Sequence, residues 1–142
     1  IMMNSESHDN EKLLNFVKKN NTKKIVAVQG LGFVGSVMSI VVANSLNKEY
    51  AVVGIDIKEN IDIIDKINNG EFPIKSSDPK VEEYYNNSLK YGNFFATYNK
   101  SAYSYADTII VDINLDVQKE SDSHGNLISF DVDLNPFKNA IK

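Results

Sequence analysis

Short apolar runs alternate along this chain with segments of helical periodicity. The apolar runs predict four strands, over residues 24–30, 51–57, 93–98 and 108–113. The periodic segments predict helices over residues 9–20, 33–47, 60–69, 79–91, 100–106 and 134–141. Residues 115–129 are polar, and we expect them to form a mobile connection.

Local signals support several of these elements. Asp78 followed by Pro79 predicts the first turn of a helix, and Gly70 stands where a left-handed residue would end one. The apolar residues that repeat at helical spacing in 33–47 are Val34, Met38, Val41, Val42 and Leu46. Those that predict the buried side of 79–91 are Val81, Tyr84, Tyr85 and Leu89. Residues 108–113 predict a buried parallel strand.

This order of elements predicts an α/β fold of the Rossmann type, a doubly wound parallel sheet. We expect about four strands in the order 3-2-1-4, whereas a complete dinucleotide-binding fold has about six. The sheet is therefore predicted to be incomplete. We expect a polar N-terminal segment over residues 1–22 with one short amphipathic helix, and a truncated Rossmann domain over residues 23–142. Because Ile1 precedes Met2, we do not expect Ile1 to be the natural translation start.

The first predicted strand leads directly into a glycine-rich turn with the spacing GxGxxG, followed by a helix. Gly30 would permit the tight turn, Gly32 the close approach of a diphosphate, and Gly35 the packing of helix against strand. The helix dipole favours negative charge at this point. The alternative is an ordinary turn between a strand and a helix.

The second predicted strand ends in an acid. Asp56 follows Gly35 by 21 positions, and a dinucleotide site has an acid about 20 residues on, which accepts hydrogen bonds from the adenosine ribose. The alternative role for Asp56 is to cap the next helix. All 15 positive residues are lysines. Since an NADP site usually has an arginine near the 2′-phosphate and Asp56 would repel that phosphate, we expect NAD.

Composition argues against several classes of function. The net charge of −4 argues against a nucleic-acid partner. No apolar run approaches the roughly 20 residues needed to cross a bilayer, and no signal peptide is evident, so we expect no membrane partner and a cytoplasmic location. Cysteine is absent, and His8 and His124 lack the partner spacing of a metal site. The apolar stripe in residues 9–20 fits packing on the domain surface or a contact within a homo-oligomer.

The glycine turn reads Gly-Leu-Gly-Phe-Val-Gly, which resembles the opening of the UDP-glucose/GDP-mannose dehydrogenase family. Later segments are similar to other family positions: Asn69-Gly70, Pro73-Ile74, Phe95-Ala96-Thr97, residues 106–111, Asp133-Leu134 and Ala140-Ile141. The resemblance implies that NAD is held at its diphosphate by Gly30, Gly32, Phe33, Val34 and Gly35, and at its ribose by Asp56 with Lys58 beside it. Lys58 also fits a solvated lysine at a helix start.

The chain departs from the family after its fourth predicted strand. The family's Val-Pro-Thr-Pro positions are occupied by Ile113, Asn114, Leu115 and Asp116, so no threonine hydroxyl is available there. Asp112 is unusual for a central parallel strand, because an unpaired buried carboxylate is costly. It fits either a ligand contact or a solvated, hydrogen-bonded acid.

The resemblance implies oxidation of a sugar-nucleotide alcohol to a uronic acid in two hydride transfers to NAD, for the synthesis of polysaccharide precursors. The family holds the aldehyde stage on a cysteine. Since this chain has none, we expect it to bind NAD without catalysis and to reach a nucleotide sugar only through domains further along the polypeptide. The alternatives are a stand-alone nucleotide-binding or regulatory module, and the first domain of another NAD-dependent dehydrogenase of the 6-phosphogluconate or hydroxyacyl type.

Overall fold

A computed structural model describes residues 5–114 and 117–142 of the chain. The chain divides into two compact units, residues 1–112 and residues 113–142. Leu115 and Asp116 lie outside the described residues. Among the helices that are described, none has both the length and the apolar character needed to cross a membrane.

The first unit is built on a parallel sheet with the strand order β3-β2-β1-β4. Its strands are β1 Lys24–Gln29, β2 Tyr50–Ile55, β3 Phe94–Thr97 and β4 Thr108–Val111. Central β1 pairs in parallel with β2 and with β4, and β2 pairs in parallel with β3. The predicted order 3-2-1-4 is therefore confirmed, and it brings the carboxyl ends of all four strands to one edge.

In the described part of the first unit, four helices accompany this sheet: α1 Ser5–Lys19, α2 Phe33–Ala43, α3 Ile61–Asn68 and α4 Pro79–Tyr91. The predicted caps are confirmed. The Asp78 side chain accepts a hydrogen bond from the Lys80 N–H group at 2.9 Å, and Gly70 follows α3 with φ +89°. Short 3-10 turns lie at Leu46–Lys48, Lys58–Asn60 and Lys100–Tyr105.

Two helix boundaries differ from the prediction by more than one residue. Helix α2 ends at Ala43 and not at residue 47, because Asn44 folds its side chain back onto the Ile40 carbonyl at 2.7 Å and Asn47 has φ +68°, which a helix does not tolerate. Helix α1 begins at Ser5, one turn before residue 9, since its first turn is polar and carries no periodic signal.

The apolar residues that predicted α2 are not the ones it buries. Val34, Val41 and Leu46 are 53%, 49% and 86% exposed. The helix instead turns small side chains toward the sheet, and its buried residues are Gly35, Ser36, Ser39, Ile40 and Ala43. Small residues allow the helix backbone to approach the strands closely, so apolar periodicity indicated the helix but not its inner face. Leu89 of α4, predicted as buried, is likewise 40% exposed.

The core lies on both faces of the sheet. One cluster joins alternate strand residues such as Val28 and Val52 to Ile40, Ile64 and Tyr85 of the helices. On the opposite face, Leu13 of α1 is fully buried in a second cluster with strand residues that include Ile25, Ala27, Val53 and Ile55. Phe16 of α1 stacks on Phe95 with ring centroids 5.5 Å apart. The apolar stripe of α1 thus packs on its own domain.

Strand β4 is not the buried strand that its sequence predicts. It forms the edge of the four-stranded sheet, and Ile109 is 49% exposed. Apolar composition on both faces of a strand is typical of a parallel strand whose two faces are both covered by packed helices. In the described part of the first unit β4 lies at the sheet edge, where its faces are less covered than those of central β1.

The second unit is a hairpin followed by a short helix. Strands β5 Val117–Ser121 and β6 Leu127–Val132 pair in antiparallel fashion, and α5 spans Asn135–Ala140. Residues 117–121 and 127–129 of the expected mobile connection over 115–129 thus lie in paired strands, and no strand was predicted there. At the turn, the Asp122 carboxylate accepts hydrogen bonds from the N–H groups of His124 and Asn126, and Gly125 has φ +83°. Strand β5 is polar after Val117, whereas the apolar residues Leu127, Ile128 and Phe130 of β6 are 55%, 66% and 67% exposed.

Candidate functional site

The glycine turn after β1 has a backbone that only glycine adopts without strain. Gly30 has φ +97°, and its N–H group donates to the Ile55 carbonyl at 2.8 Å. A Cβ atom on Gly30 would lie 2.0 Å from the carbonyl oxygen of Asp112. The turn is thus held between the ends of β2 and β4, as the predicted role of Gly30 requires.

Gly35 and Gly32 differ in what surrounds them. A Cβ atom on Gly35 would lie 1.8 Å from the Gly30 carbonyl oxygen, so the first turn of α2 rests directly on the glycine turn. A Cβ atom on Gly32 would meet no atom within 4 Å. The chain therefore needs Gly35 for packing, while Gly32 leaves open space beside the helix start.

The start of α2 has the properties of an anion site. Its cap residue is Gly32, and within the described part of the chain no side chain caps it and no acid occupies its first turn. The first intrahelical bond runs from the Ser36 N–H group to the Gly32 carbonyl at 3.0 Å. The N–H groups that precede Ser36 are free of helical acceptors, and the helix dipole favours a negative ligand there. Phe33 and Val34 are 61% and 53% exposed.

Asp56 lies next to this turn. One oxygen, Oδ2, accepts a hydrogen bond from the Leu31 N–H group at 2.8 Å. The other, Oδ1, accepts from the Ile57 N–H group at 2.7 Å and from Asn60 Nδ2 at 2.9 Å. Asp56 is half-buried, and its Oδ2 atom retains capacity for one further donor, whereas Oδ1 already accepts two hydrogen bonds. Asp56 thus contacts both the glycine turn and the segment after β2. The alternative expectation, that Asp56 caps the next helix, is wrong, because the 3-10 turn Lys58–Asn60 and α3 begin after Ile57 and Asn60 and neither start carries a side-chain cap bond.

Tyr103 is a neighbour of Asp56 that the sequence did not reveal. Burial raises the pKa of the Tyr103 hydroxyl to about 12, and the negative charge of Asp56 contributes in the same direction. Asn60 was also missed, although its position four residues after Asp56 is a spacing at which side chains meet on helical turns. Tyr103 lies 47 positions after Asp56, so no local pattern connects the two.

Lys58 is exposed and points to α1. Its Nζ atom lies 3.8 Å from Glu6 Oε1 and 5.5 Å from the centroid of the Tyr98 ring. It begins the short 3-10 turn Lys58–Asn60. This geometry fits the expectation of a solvated lysine at a helix start, with an acidic partner that was not foreseen.

Asp112 lies at the start of α2. Its N–H group donates to the Gln29 carbonyl at 2.8 Å, which extends the pairing of β4 with β1. Its Oδ2 atom is 3.0 Å from the position that a Cβ atom on Gly35 would occupy. The carboxylate is half-buried and adds negative charge where the helix dipole is positive. Two of the four residues after it, Leu115 and Asp116, lie outside the described residues.

The glycine turn, the open helix start and the strand-end acid together form the arrangement of a dinucleotide site. Residues 24–142 match the sequence model of the UDP-glucose/GDP-mannose dehydrogenase family, NAD binding domain. The chain belongs to this family. Residues 24–142 are thus the NAD-binding domain of a nucleotide-sugar dehydrogenase family, and the family match excludes the alternative of another dehydrogenase type. Helix α1 precedes the matched region.

Solved structures of nucleotide-sugar dehydrogenases share the fold. The NDP-N-acetyl-D-galactosaminuronic acid dehydrogenase of Methanosarcina mazei Go1 is 26% identical, with a TM-score of 0.63 over 92% of this chain and 26% of that one. The UDP-N-acetyl-mannosamine dehydrogenase of S. aureus is 24% identical, with a TM-score of 0.59 over 83% of this chain and 24% of that one. A ternary complex of GDP-mannose dehydrogenase from Pseudomonas aeruginosa is 24% identical, with a TM-score of 0.56 over 80% of this chain and 23% of that one.

This chain spans about a quarter of the length of these solved structures. No protein with a curated description matches it in sequence. The comparisons therefore concern the cofactor-binding part of the family, and the cytoplasmic location stays a prediction.

Proposed function

We propose that NAD binds across the carboxyl edge of the sheet, with its diphosphate at the glycine turn and its adenosine ribose on Asp56. Gly30, Gly32 and Gly35 give the turn its shape, and the N–H groups at Phe33 and Val34 receive the diphosphate. The observation that carries this proposal is the 2.8 Å hydrogen bond between Asp56 Oδ2 and the Leu31 N–H group. It joins the ribose-binding acid to the turn that would hold the diphosphate.

The side chains of Phe33 and Val34 have a separate role in this proposal. Both are more than half exposed at the start of α2. Apolar side chains in that position would be covered when a dinucleotide lies over the turn, and they would exclude water from the hydrogen bonds between N–H groups and phosphate. Lys58 would lie beside the ribose, at the outer rim of the site.

We further propose that the whole protein is a nucleotide-sugar 6-dehydrogenase that oxidises a UDP- or GDP-sugar to the uronic acid for polysaccharide precursor synthesis. NAD accepts one hydride in each of the two oxidation steps. This chain contributes the binding and orientation of that cofactor. It has no cysteine to hold an aldehyde, so the nucleophile and the sugar-nucleotide site would come from further along the polypeptide.

A second candidate is a stand-alone nucleotide-binding or regulatory module. Two observations favour it. The family's Val-Pro-Thr-Pro turn is replaced by residues without a threonine hydroxyl, and Asp112 adds a carboxylate at the start of α2. The two candidates differ in what the reading frame should encode beyond Lys142. The dehydrogenase requires a downstream cysteine and a second α/β domain, whereas a stop codon would support the module.

Calorimetric titration of this chain with NAD and with NADP tests the cofactor proposal. We expect NAD to bind with one site per chain and NADP to bind more weakly, because the 2′-phosphate would meet the Asp56 carboxylate. Equal affinity for the two cofactors would contradict the role given to Asp56. Absence of NAD binding would contradict the proposed site as a whole.

A further inference from the structure

Helix α1 is fastened to the end of β3, beside the acid proposed to hold the ribose. Asp9 Oδ2 accepts a hydrogen bond from the hydroxyl of the buried Thr97 at 2.7 Å. The carbonyl of the same Thr97 accepts the N–H group of Asp56 at 3.1 Å. One residue of β3 therefore contacts both α1 and Asp56. One turn later in α1, the fully buried Leu13 fixes the helix on the sheet.

This attachment sets Glu6 against Lys58. The Lys58 ammonium group lies 3.8 Å from Glu6 Oε1, and it also lies over the Tyr98 ring at 5.5 Å from the centroid. Lys58 follows Asp56 by two positions, which makes it the lysine nearest in sequence to the ribose-binding acid. Glu6 thus engages the cation that stands closest along the chain to the proposed ribose position.

The surrounding space is a cleft of about 260 Å³ between α1 and the segment after β3. It is lined by Glu6, Asp9, Tyr98, Asn99 and Lys100. The lining holds the carboxylates of Glu6 and Asp9 and the ammonium group of Lys100, and Lys58 lies against Glu6 and Tyr98. The two lysines are thus matched by two carboxylates, so a cofactor phosphate that entered this region would meet no excess of positive charge.

NADP differs from NAD by a phosphate on the ribose 2′-oxygen, and sites that accept NADP place a cation near that oxygen. We propose that Glu6 is a second determinant of selectivity for NAD over NADP, which acts by engaging Lys58 so that this lysine does not receive a 2′-phosphate. The inference rests on the proposed placement of the ribose on Asp56. It assigns a function to α1, which precedes the family-matched residues 24–142.

Charge variants of Glu6 test this inference by calorimetry with NAD and NADP. Glu6→Lys should tighten NADP binding about three- to ten-fold and Glu6→Gln somewhat less, while NAD affinity changes less than about two-fold. Glu11→Lys and Glu11→Gln are matched controls, because Glu11 is an exposed acid on the same helix. Adding Lys58→Met to Glu6→Gln should return the NADP affinity to the wild-type value.

The outcomes separate the two proposals. If the Glu6 and Glu11 variants give the same ratio of NADP to NAD affinity while NAD still binds, the role of Glu6 is overturned and the proposed function stands. If Lys58→Met leaves the gain in NADP affinity intact, the gain does not act through Lys58 and the inference is overturned as well. If the wild-type chain fails to bind NAD, both proposals fall.

Discussion

The Asp56 carboxylate accepts a hydrogen bond from the Leu31 N–H group at 2.8 Å, which ties the end of β2 to the glycine turn after β1. These residues are 25 positions apart in sequence. The bond fixes the acid beside the helix start before any cofactor arrives. A site that is preorganised in this way loses less conformational freedom on binding.

Gly35→Ala and Gly32→Ala form a matched pair of substitutions in the glycine turn. The added methyl of Gly35→Ala would lie 1.8 Å from the Gly30 carbonyl oxygen, so we expect it to lower the free energy of unfolding by about 3 kcal/mol. The methyl of Gly32→Ala meets no atom within 4 Å, so the unfolding free energy should stay within about 0.5 kcal/mol of wild type. Urea denaturation followed by circular dichroism measures both.

Gly32→Ala should nevertheless weaken NAD binding about ten-fold or more, because its methyl would occupy the space proposed for the diphosphate. Calorimetry on the folded variant measures this effect apart from stability. A stable Gly32→Ala chain with wild-type NAD affinity would show that the diphosphate does not approach the turn at this point.

Asp112→Asn is expected to tighten NAD binding. The Asp112 carboxylate lies at the start of α2, 3.0 Å from where a Gly35 Cβ would stand, and it would repel an incoming diphosphate. Removing the charge should improve the NAD affinity by about 1 kcal/mol, or about five-fold, and the gain should shrink at high salt. Glu82→Gln, at an exposed position of α4, is the control. Weaker NAD binding by Asp112→Asn would indicate that Asp112 contacts the cofactor favourably.

The raised pKa values of two tyrosines lead us to expect a lower free energy of unfolding at alkaline pH. Burial raises the pKa of Tyr85 and of Tyr103 to about 12, whereas the same hydroxyls lose their protons near pH 10 in the unfolded chain. Between pH 10 and pH 12 the folded state therefore binds more protons than the unfolded state, and the free energy of unfolding falls as the pH rises. Below pH 10 this contribution is fully present and does not vary with pH.

Tyr103→Phe should make the free energy of unfolding fall less steeply between pH 10 and pH 12, because a phenyl ring has no proton to lose. Tyr105→Phe is the control, since Tyr105 is an exposed residue of the same 3-10 turn. Urea midpoints measured at intervals of half a pH unit give the slope for each chain. An identical slope in Tyr103→Phe and wild type would show that the Tyr103 hydroxyl titrates alike in the folded and unfolded states.

The parts of the site that could be predicted from sequence are encoded locally. The sequence of β1, the glycine turn and the start of α2 is continuous, and Asp56 lies at the end of the next strand. Because parallel strands in this topology bring their carboxyl ends to one edge, the proximity of Asp56 to the turn is a consequence of the strand order. The order itself was predictable from the alternation of strands and helices.

The parts that could not be predicted depend on contacts between distant residues. Glu6 reaches Lys58 only because α1 packs along β3, and nothing in either local sequence marks that contact. The β5–β6 hairpin was not predicted, because β5 is polar after Val117, although Ile128, Phe130 and Val132 of β6 alternate with polar residues. The inner face of α2 was concealed because glycine, serine and alanine give little hydrophobic signal.

The placement of the adenosine ribose on Asp56 is tested by titrating the wild-type chain, Asp56→Asn and Asp56→Ala with NAD and NADP. Asp56→Asn keeps an oxygen that can accept from the Leu31 N–H group, so its glycine turn should persist. We expect Asp56→Ala to lose about 1.5 to 3 kcal/mol of NAD binding energy, roughly ten- to a hundred-fold in affinity. Asp56→Asn should reduce the difference in binding affinity between NAD and NADP. Unchanged affinities for both cofactors in both variants would contradict the proposed site.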